Sequence, residues 1–132
     1  MSTGVLEFLD SFFFAFHTAY IVFNLVGWIP QFTRRIHLIS IGVTLFSWII
    51  LGFRYGWGYC FVTDWHWIVM RRLGKPPKVR SYIQYLVQEL TGYTPPAEIT
   101  IETTQWVFVV LVCITAAVNI RDAARKQRRI QD

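Results

Sequence analysis

The stretch from Gly58 to Trp67, GYCFVTDWHW, places a thiol, a hydroxyl, a carboxylate and an imidazole close together in sequence. Cys60, Asp64 and His66 carry donor atoms that zinc accepts in tetrahedral geometry, and His17 is a fourth candidate ligand if the fold brings it alongside. The same groups suit nucleophilic catalysis. Cys60 would attack, His17 or His66 would take its proton, and Asp64 would orient the base, as in a lipid-modifying enzyme reached from the membrane interface. A haem would need a second axial ligand at the depth of His17. The last hydrophobic run offers only Gln105, Cys113, Thr115 and Asn119, so a haem would have to be shared between two copies of the chain. The alternative to all three is an aromatic membrane border. There Trp57, Tyr59, Trp65 and Trp67 sit at headgroup level, Asp64 caps a short helix, His66 hydrogen-bonds at the border and Cys60 packs as a small residue.

Which of these holds depends on the elements that position the motif. The chain of 132 residues is enough for a single domain spanning residues 1–132. Only 16% of its residues are charged, against about a quarter in soluble domains. The basic residues fall in clusters at Arg34-Arg35, Arg71–Arg80 and Arg121–Arg129, separated by apolar runs. That pattern fits membrane spans with polar ends and argues against a nucleic-acid surface.

Three runs are long enough to cross a bilayer: about 11–33, 36–58 and 103–120. Glu7 and Asp10 precede the first and no Lys or Arg does, so it does not have the charge pattern of a cleavable signal peptide. The second reaches Arg54, which would snorkel or pair inside a bundle, and ends between Gly52 and Thr63. Two interfacial helices are expected between the second and third runs, at about 64–73 and 79–92. The second of these places Val79, Tyr82, Ile83, Leu86, Val87 and Leu90 at helical spacing, with Gly92 at its end and Pro95-Pro96 forbidding continuation. The fold class is therefore an all-α integral-membrane helical bundle of three transmembrane helices with one or two amphipathic interfacial helices. No disulfide between Cys60 and Cys113 is expected, because the spans do not give them a shared depth.

Helical spacing gives two of the spans a polar face. His17, Tyr20, Asn24 and Gly27 line one side of the first; His37, Ser40, Thr44, Ser47, Leu51 and Arg54 line one side of the second. Such stripes let helices approach and hydrogen-bond. They also suit a cavity for a cofactor, a quinone-like ligand or a proton path, with His17, Asn24, His37 and Arg54 as cofactor-binding candidates. His17 and His37 enter from opposite ends and should differ in depth by about 15–20 Å, too far to share one iron.

The order FHTAYIVFNLVG, RRIHLISIG, WGYCFVTDWHWIVMRRLG, SYIQYLVQELTGY and a final hydrophobic helix resembles a family of small bacterial inner-membrane proteins catalogued as a domain of unknown function. The family pattern has a histidine in the first helix, an Arg-x-x-His-like start to the second and a Trp-x-Cys-Pro-Leu-Thr-type motif. Cys60 and Thr63 match that motif, and Phe61 and Val62 replace its Pro-Leu. The resemblance covers roughly residues 12–120, marks His17, His37, Cys60 and Thr63 as motif positions, and implies the fold and a bacterial inner-membrane address but no activity. Together with the spans it leads to a small non-enzymatic subunit or scaffold, assembled with itself or with a larger membrane complex. The basic tail Arg121–Arg129 would lie on the cytoplasmic side against anionic headgroups. A metal- or haem-binding protein using His17, Cys60, Asp64 and His66, and an enzyme using Cys60, are the other readings.

Overall fold

A computed structural model describes residues 2–56 and 60–132. Trp57, Gly58 and Tyr59 lie outside the described residues, and with them two rings of the expected aromatic belt. The described residues form five α-helices: α1 (Thr3–Val26), α2 (Arg34–Tyr55), α3 (Phe61–Arg72), α4 (Tyr82–Thr91) and α5 (Ala97–Gln131). Three helical segments, Thr3–Val26, Gln31–Tyr55 and Ala97–Gln131, are long and apolar enough to cross a membrane.

What α1 buries against the protein is Leu6 and the polar pair His17 and Asn24, while Phe8, Phe12 and Phe16 stay on the outside. In α2 the buried set is His37, Ser40, Ile41, Thr44, Ser47 and Trp48, while Ile39, Phe46 and Phe53 face outward. A water-soluble bundle does the reverse. Here the outward surface needs no polar cover in hydrocarbon, and the inward faces associate by close packing and hydrogen bonds. The expected polar stripe therefore holds from His37 to Ser47. It fails at Arg54, which is exposed at the end of α2 with its guanidinium 5.6 Å from the Tyr55 ring centre.

Two apolar cores join the helices. Ile41 and Trp48 of α2 pack on Phe108 and Leu111 of α5, with the Trp48 and Phe108 rings 4.2 Å apart. Trp67 of α3 packs on Tyr82 and Leu86 of α4, with Phe14 and Ile21 of α1 against them. Trp67 is thus a core residue and not part of a headgroup belt; Trp65, half exposed, points outward.

The third helix corrects two expectations. Its N-cap is Cys60, and Asp64 lies in its first turn, where a carboxylate favours the positive end of the helix dipole. Gly56, whose φ of 101° favours glycine, closes α2, and the Phe61 N–H donates to Ser47 Oγ at 2.8 Å. Ser47 is about two turns back from the end of α2, so α3 begins beside the interior of α2 and runs out antiparallel to α1. It is more than a surface helix.

The next helix is set by its ends. Ser81 Oγ accepts the Gln84 N–H at 3.1 Å, the Gln84 side-chain oxygen accepts the Arg80 N–H at 3.0 Å, and Gly92 closes the helix at φ 76°. Gln84 Nε2 also donates to the Pro95 carbonyl at 2.8 Å, holding α4 to the start of α5. That last helix begins right after Pro96 and has 35 residues, about 50 Å, so it outruns a hydrocarbon core of about 30 Å.

Gly27 shows how tightly α1 meets α2. A Cβ there would sit 2.9 Å from His37 Cδ2 and 2.6 Å from the Phe23 carbonyl oxygen. Gly27→Ala is expected to destabilise the fold by about 1–3 kcal/mol, the usual cost of overpacking, read as a lower midpoint in thermal unfolding in mild detergent.

Candidate functional site: a polar-backed cavity and its histidines

The polar stripes meet as a hydrogen-bond network. The Tyr20 hydroxyl lies 2.6 Å from Thr44 Oγ1 and 3.0 Å from the Ser40 carbonyl. Asn24 Nδ2 donates to Thr44 Oγ1 at 3.2 Å, and Ser40 Oγ donates to Asn24 Oδ1. His37, fully buried, sits at the end of this network. Its Nε2–H donates to the Asn24 carbonyl at 2.8 Å, and Thr115 Oγ1 on α5 donates to Nδ1 at 3.2 Å. Because the carbonyl can only accept, the neutral ring is held in one tautomer.

On the other side of this network is a cavity of about 580 Å³ bounded by α1, α2, α4 and α5 and by the start of α3. His17, Tyr20, Asn24, Thr44, Cys60 and Thr63 give it a polar back wall. Leu25, Tyr55 and Val107, each about half exposed, form part of its rim. Among the described lining residues none is acidic, and Arg80 alone carries a permanent charge. Cys60 is buried as the N-cap of α3. Desolvation pushes its thiol above the ordinary value, opposed by the N–H groups of Val62 and Thr63 and the hydroxyls of Ser47 and Thr63. The resting thiol is protonated, so a water-soluble maleimide at pH 7 should label it far more slowly than an exposed cysteine.

Behind the cavity lies a cluster of rings. The His17 and Tyr82 ring centres are 3.8 Å apart, and His66 is 5.7 Å from both Tyr82 and Tyr85. His66 is fully buried, and its Nε2–H donates to Asp10 Oδ1 at 2.7 Å. It is a core residue, where the sequence suggested a border one. Three buried polar atoms in this cluster have no hydrogen-bond partner among the described residues: His17 Nδ1, His66 Nδ1 and the Tyr82 hydroxyl. Burial, then the negative charges around them, raise both tyrosines: Tyr85 to about 12 and Tyr82 further. A phenol whose folded pKa lies above its unfolded value of about 10 keeps its full contribution to stability below that pH. As pH rises from 10 to 12 the unfolded chain loses the proton first, and stability falls. Alkaline unfolding in that window should be steep in the native chain and flatter in Tyr85→Phe.

The structure thus gathers His17, Cys60 and Asn24 on one cavity and links His17 to His66 through Tyr82. His37 lies at the far end of the network with both ring nitrogens engaged, and Arg54 lies outside the cavity lining. Among the described residues, no three His, Cys, Asp or Glu side chains are gathered as metal ligands. Asp10 and Tyr82 take part without having been named as site candidates from the sequence, and Thr115, weighed there only as a polar residue of the last run, serves His37. Asp10 read there as a charge flanking a span and Tyr82 as one apolar position of an amphipathic helix.

Residues 7–120 match the sequence profile of a family described as Protein of Unknown function (DUF2784). No curated protein and no solved structure matches the chain.

Proposed function

This chain belongs to the DUF2784 family, and we propose that it is a small, non-enzymatic membrane protein that holds one amphiphile in the cavity between α1 and α5. The observation that carries this reading is a polar wall placed behind an apolar rim in a helical bundle long enough to span a bilayer. Ligand sites are mostly apolar with a few convergent polar groups that fix orientation. His17, Tyr20, Asn24 and Thr44 in the cavity wall are the groups placed to engage a head. With no carboxylate in the wall and Arg80 beside it, the head that fits is neutral or anionic and bears hydroxyl, carbonyl or phosphate oxygens. The tail leaves past Leu25 and Val107 into lipid.

The test is to purify the full chain in mild detergent, extract it with organic solvent and quantify co-purified lipids by mass spectrometry. About one amphiphile of a single class per chain is expected. His17→Ala should lower its occupancy about tenfold, the worth of one good buried hydrogen bond. A folded native chain carrying only a proportionate sample of the bulk lipids would overturn the reading. Elemental analysis of the same sample tests the metal alternative: near one zinc or iron per chain would make His17 and its neighbours ligands instead.

The long last helix favours a second role as a membrane subunit. Its basic end, with Arg125, Lys126, Arg128 and Arg129 exposed, continues as helix past the apolar segment. By the positive-inside tendency we place that end in the cytoplasm of a bacterial cell, with the inner membrane as the address. There it can engage anionic headgroups at about 1 kcal/mol per charge, or a partner.

A further inference from the structure

We infer that a groove where the turn before α4 meets the first turns of α5 binds the phosphate and the ammonium of a zwitterionic phospholipid head. The groove has a volume of about 550 Å³. Arg80 comes to it from the residue before Ser81, the N-cap of α4, and Glu98, Glu102 and Trp106 come from α5. Ile101 and Val109 supply its apolar part. The site does not rest on the amphiphile proposed for the cavity, which is lined by an adjoining face of α5 that includes Thr104, Phe108 and Leu111.

Glu98, Glu102, Trp106 and Val109 recur at spacings of four, four and three, so they share one face of the helix. That face is open: Trp106 is 65% exposed, and both glutamates are exposed too. Glu98 lies in the first turn, where a carboxylate favours the helix dipole. The dipole does not call for an arginine facing the same groove, or for an indole two turns further in. Among the described residues, no ion pair closes between Arg80 and either carboxylate. The groove therefore carries charges of both signs that do not neutralise each other. A simple anion entering it would meet two carboxylates, and a simple cation would meet a guanidinium. A zwitterion satisfies both. A guanidinium matches phosphate oxygens in bidentate geometry. Carboxylates accept ammonium N–H groups, and an indole face attracts the same positive charge.

The order of these residues along α5 fits a lipid better than a free zwitterion. At 1.5 Å per residue, Glu98 and Val109 are about 16 Å apart along the axis. The charged side chains stand at the start of the helix, and Trp106 and Val109 lie in its apolar run. A phospholipid has the same sequence of parts: charged head, glycerol, then chain. Tryptophan favours the level between head and chain. The head thus sits among Arg80, Glu98 and Glu102, and one acyl chain descends past Trp106 and Val109.

The test is quenching of Trp106 by brominated phospholipids in nanodiscs that hold the full chain. The Trp106 component is the difference between native protein and Trp106→Phe. The probes are phosphatidylethanolamine and phosphatidylglycerol with identical brominated chains, each diluted into an uncharged glycolipid. Trp106 should select the ethanolamine lipid over the glycerol lipid about tenfold, the worth of one charge-assisted hydrogen bond. Glu98→Gln with Glu102→Gln should remove that preference, and Arg80→Gln should bring the ethanolamine lipid down towards the level of the diluent. Glu98, Glu102 and Trp106 lie outside both apolar cores, so these variants keep the packing of the bundle. Equal or stronger selection of phosphatidylglycerol by the native chain would overturn the site, as would a preference that survives the double glutamine variant. In folded His17→Ala, which weakens the cavity's hold on its amphiphile, selection at Trp106 should be unchanged. Its loss there would show that Trp106 senses the cavity's lipid, and the groove reading would fall while the cavity reading stood.

Discussion

His37→Ala is expected to cost about 2–5 kcal/mol, enough to leave little folded protein in most detergents. The ring is completely buried, so its removal opens a cavity that α1 and α2 cannot close, with the Phe23 ring 5.8 Å from its centre and Gly27 pressed against it. The loss is also polar. The Asn24 carbonyl loses the Nε2–H, Thr115 loses its acceptor, and each buried group left unsatisfied adds about 1–3 kcal/mol. The effect should spread beyond two helices, because His37 is where α1, α2 and α5 share hydrogen bonds. His37→Leu separates the two contributions: it fills much of the volume and supplies no donor. If the polar part dominates, thermal midpoints of the alanine and leucine variants will be similar. If the cavity dominates, leucine will recover most of the loss. In either case the amphiphile should leave His37→Leu only as far as the fold does, since His37 is not part of the cavity lining.

That placement shows what the sequence could and could not convey. Helical spacing put His17, Tyr20 and Asn24 on one face and His37, Ser40, Thr44 and Ser47 on another, and the structure brings those faces together. The signal was legible because a polar residue in an apolar run has few places to go but inward. The ends of the helices were legible for a similar reason: glycine and proline act locally, so Gly92 stops α4 and Pro96 immediately precedes α5. What sequence could not supply was pairing across distance. Nothing local tells Asp10 that its partner is His66, or that Cys60 stands at the N-cap of a helix that starts beside Ser47. Tyr82 reads from the sequence as one apolar position of an amphipathic helix, and such a pattern marks an apolar face without saying whether lipid or protein covers it, or that an imidazole stacks on it. Trp67 was misplaced because tryptophan favours membrane borders on average, and a single ring carries no information on which side of its helix the protein lies.

The ion pair one turn from His37, at the start of α2, gives the second large effect. Arg34 reaches from the first turn of α2 to Asp122 on α5, with Nη1 3.0 Å from both carboxylate oxygens. Its Nε–H also donates to the Trp28 carbonyl at 2.9 Å, tying down the connection between α1 and α2. Side-chain exposures of 16% and 26% set it apart from the solvated pairs that contribute almost nothing. Arg34→Ala is expected to cost about 2–3 kcal/mol, since it strands a partly buried carboxylate and frees a carbonyl in one step. Asp122→Ala should cost less, because Arg34 keeps its carbonyl partners. The exchange Arg34→Asp with Asp122→Arg should recover part of the loss through the restored pair, yet fall short of the native chain, as no aspartate can donate to Trp28. Together with the double variant Arg34→Ala/Asp122→Ala, the native chain and the two alanine variants form a double-mutant cycle, and a coupling energy near zero would mean that the pair is ornamental to stability. Raising salt distinguishes the sources: the pair, being mostly shielded from water, should lose little up to about 0.5 M, whereas binding of the basic end of α5 to anionic vesicles should fall steeply over the same range. If both fell together, the clamp would be no more than a surface contact, and α5 would owe its place to the packing around Trp48 and Phe108 and to the Thr115–His37 hydrogen bond.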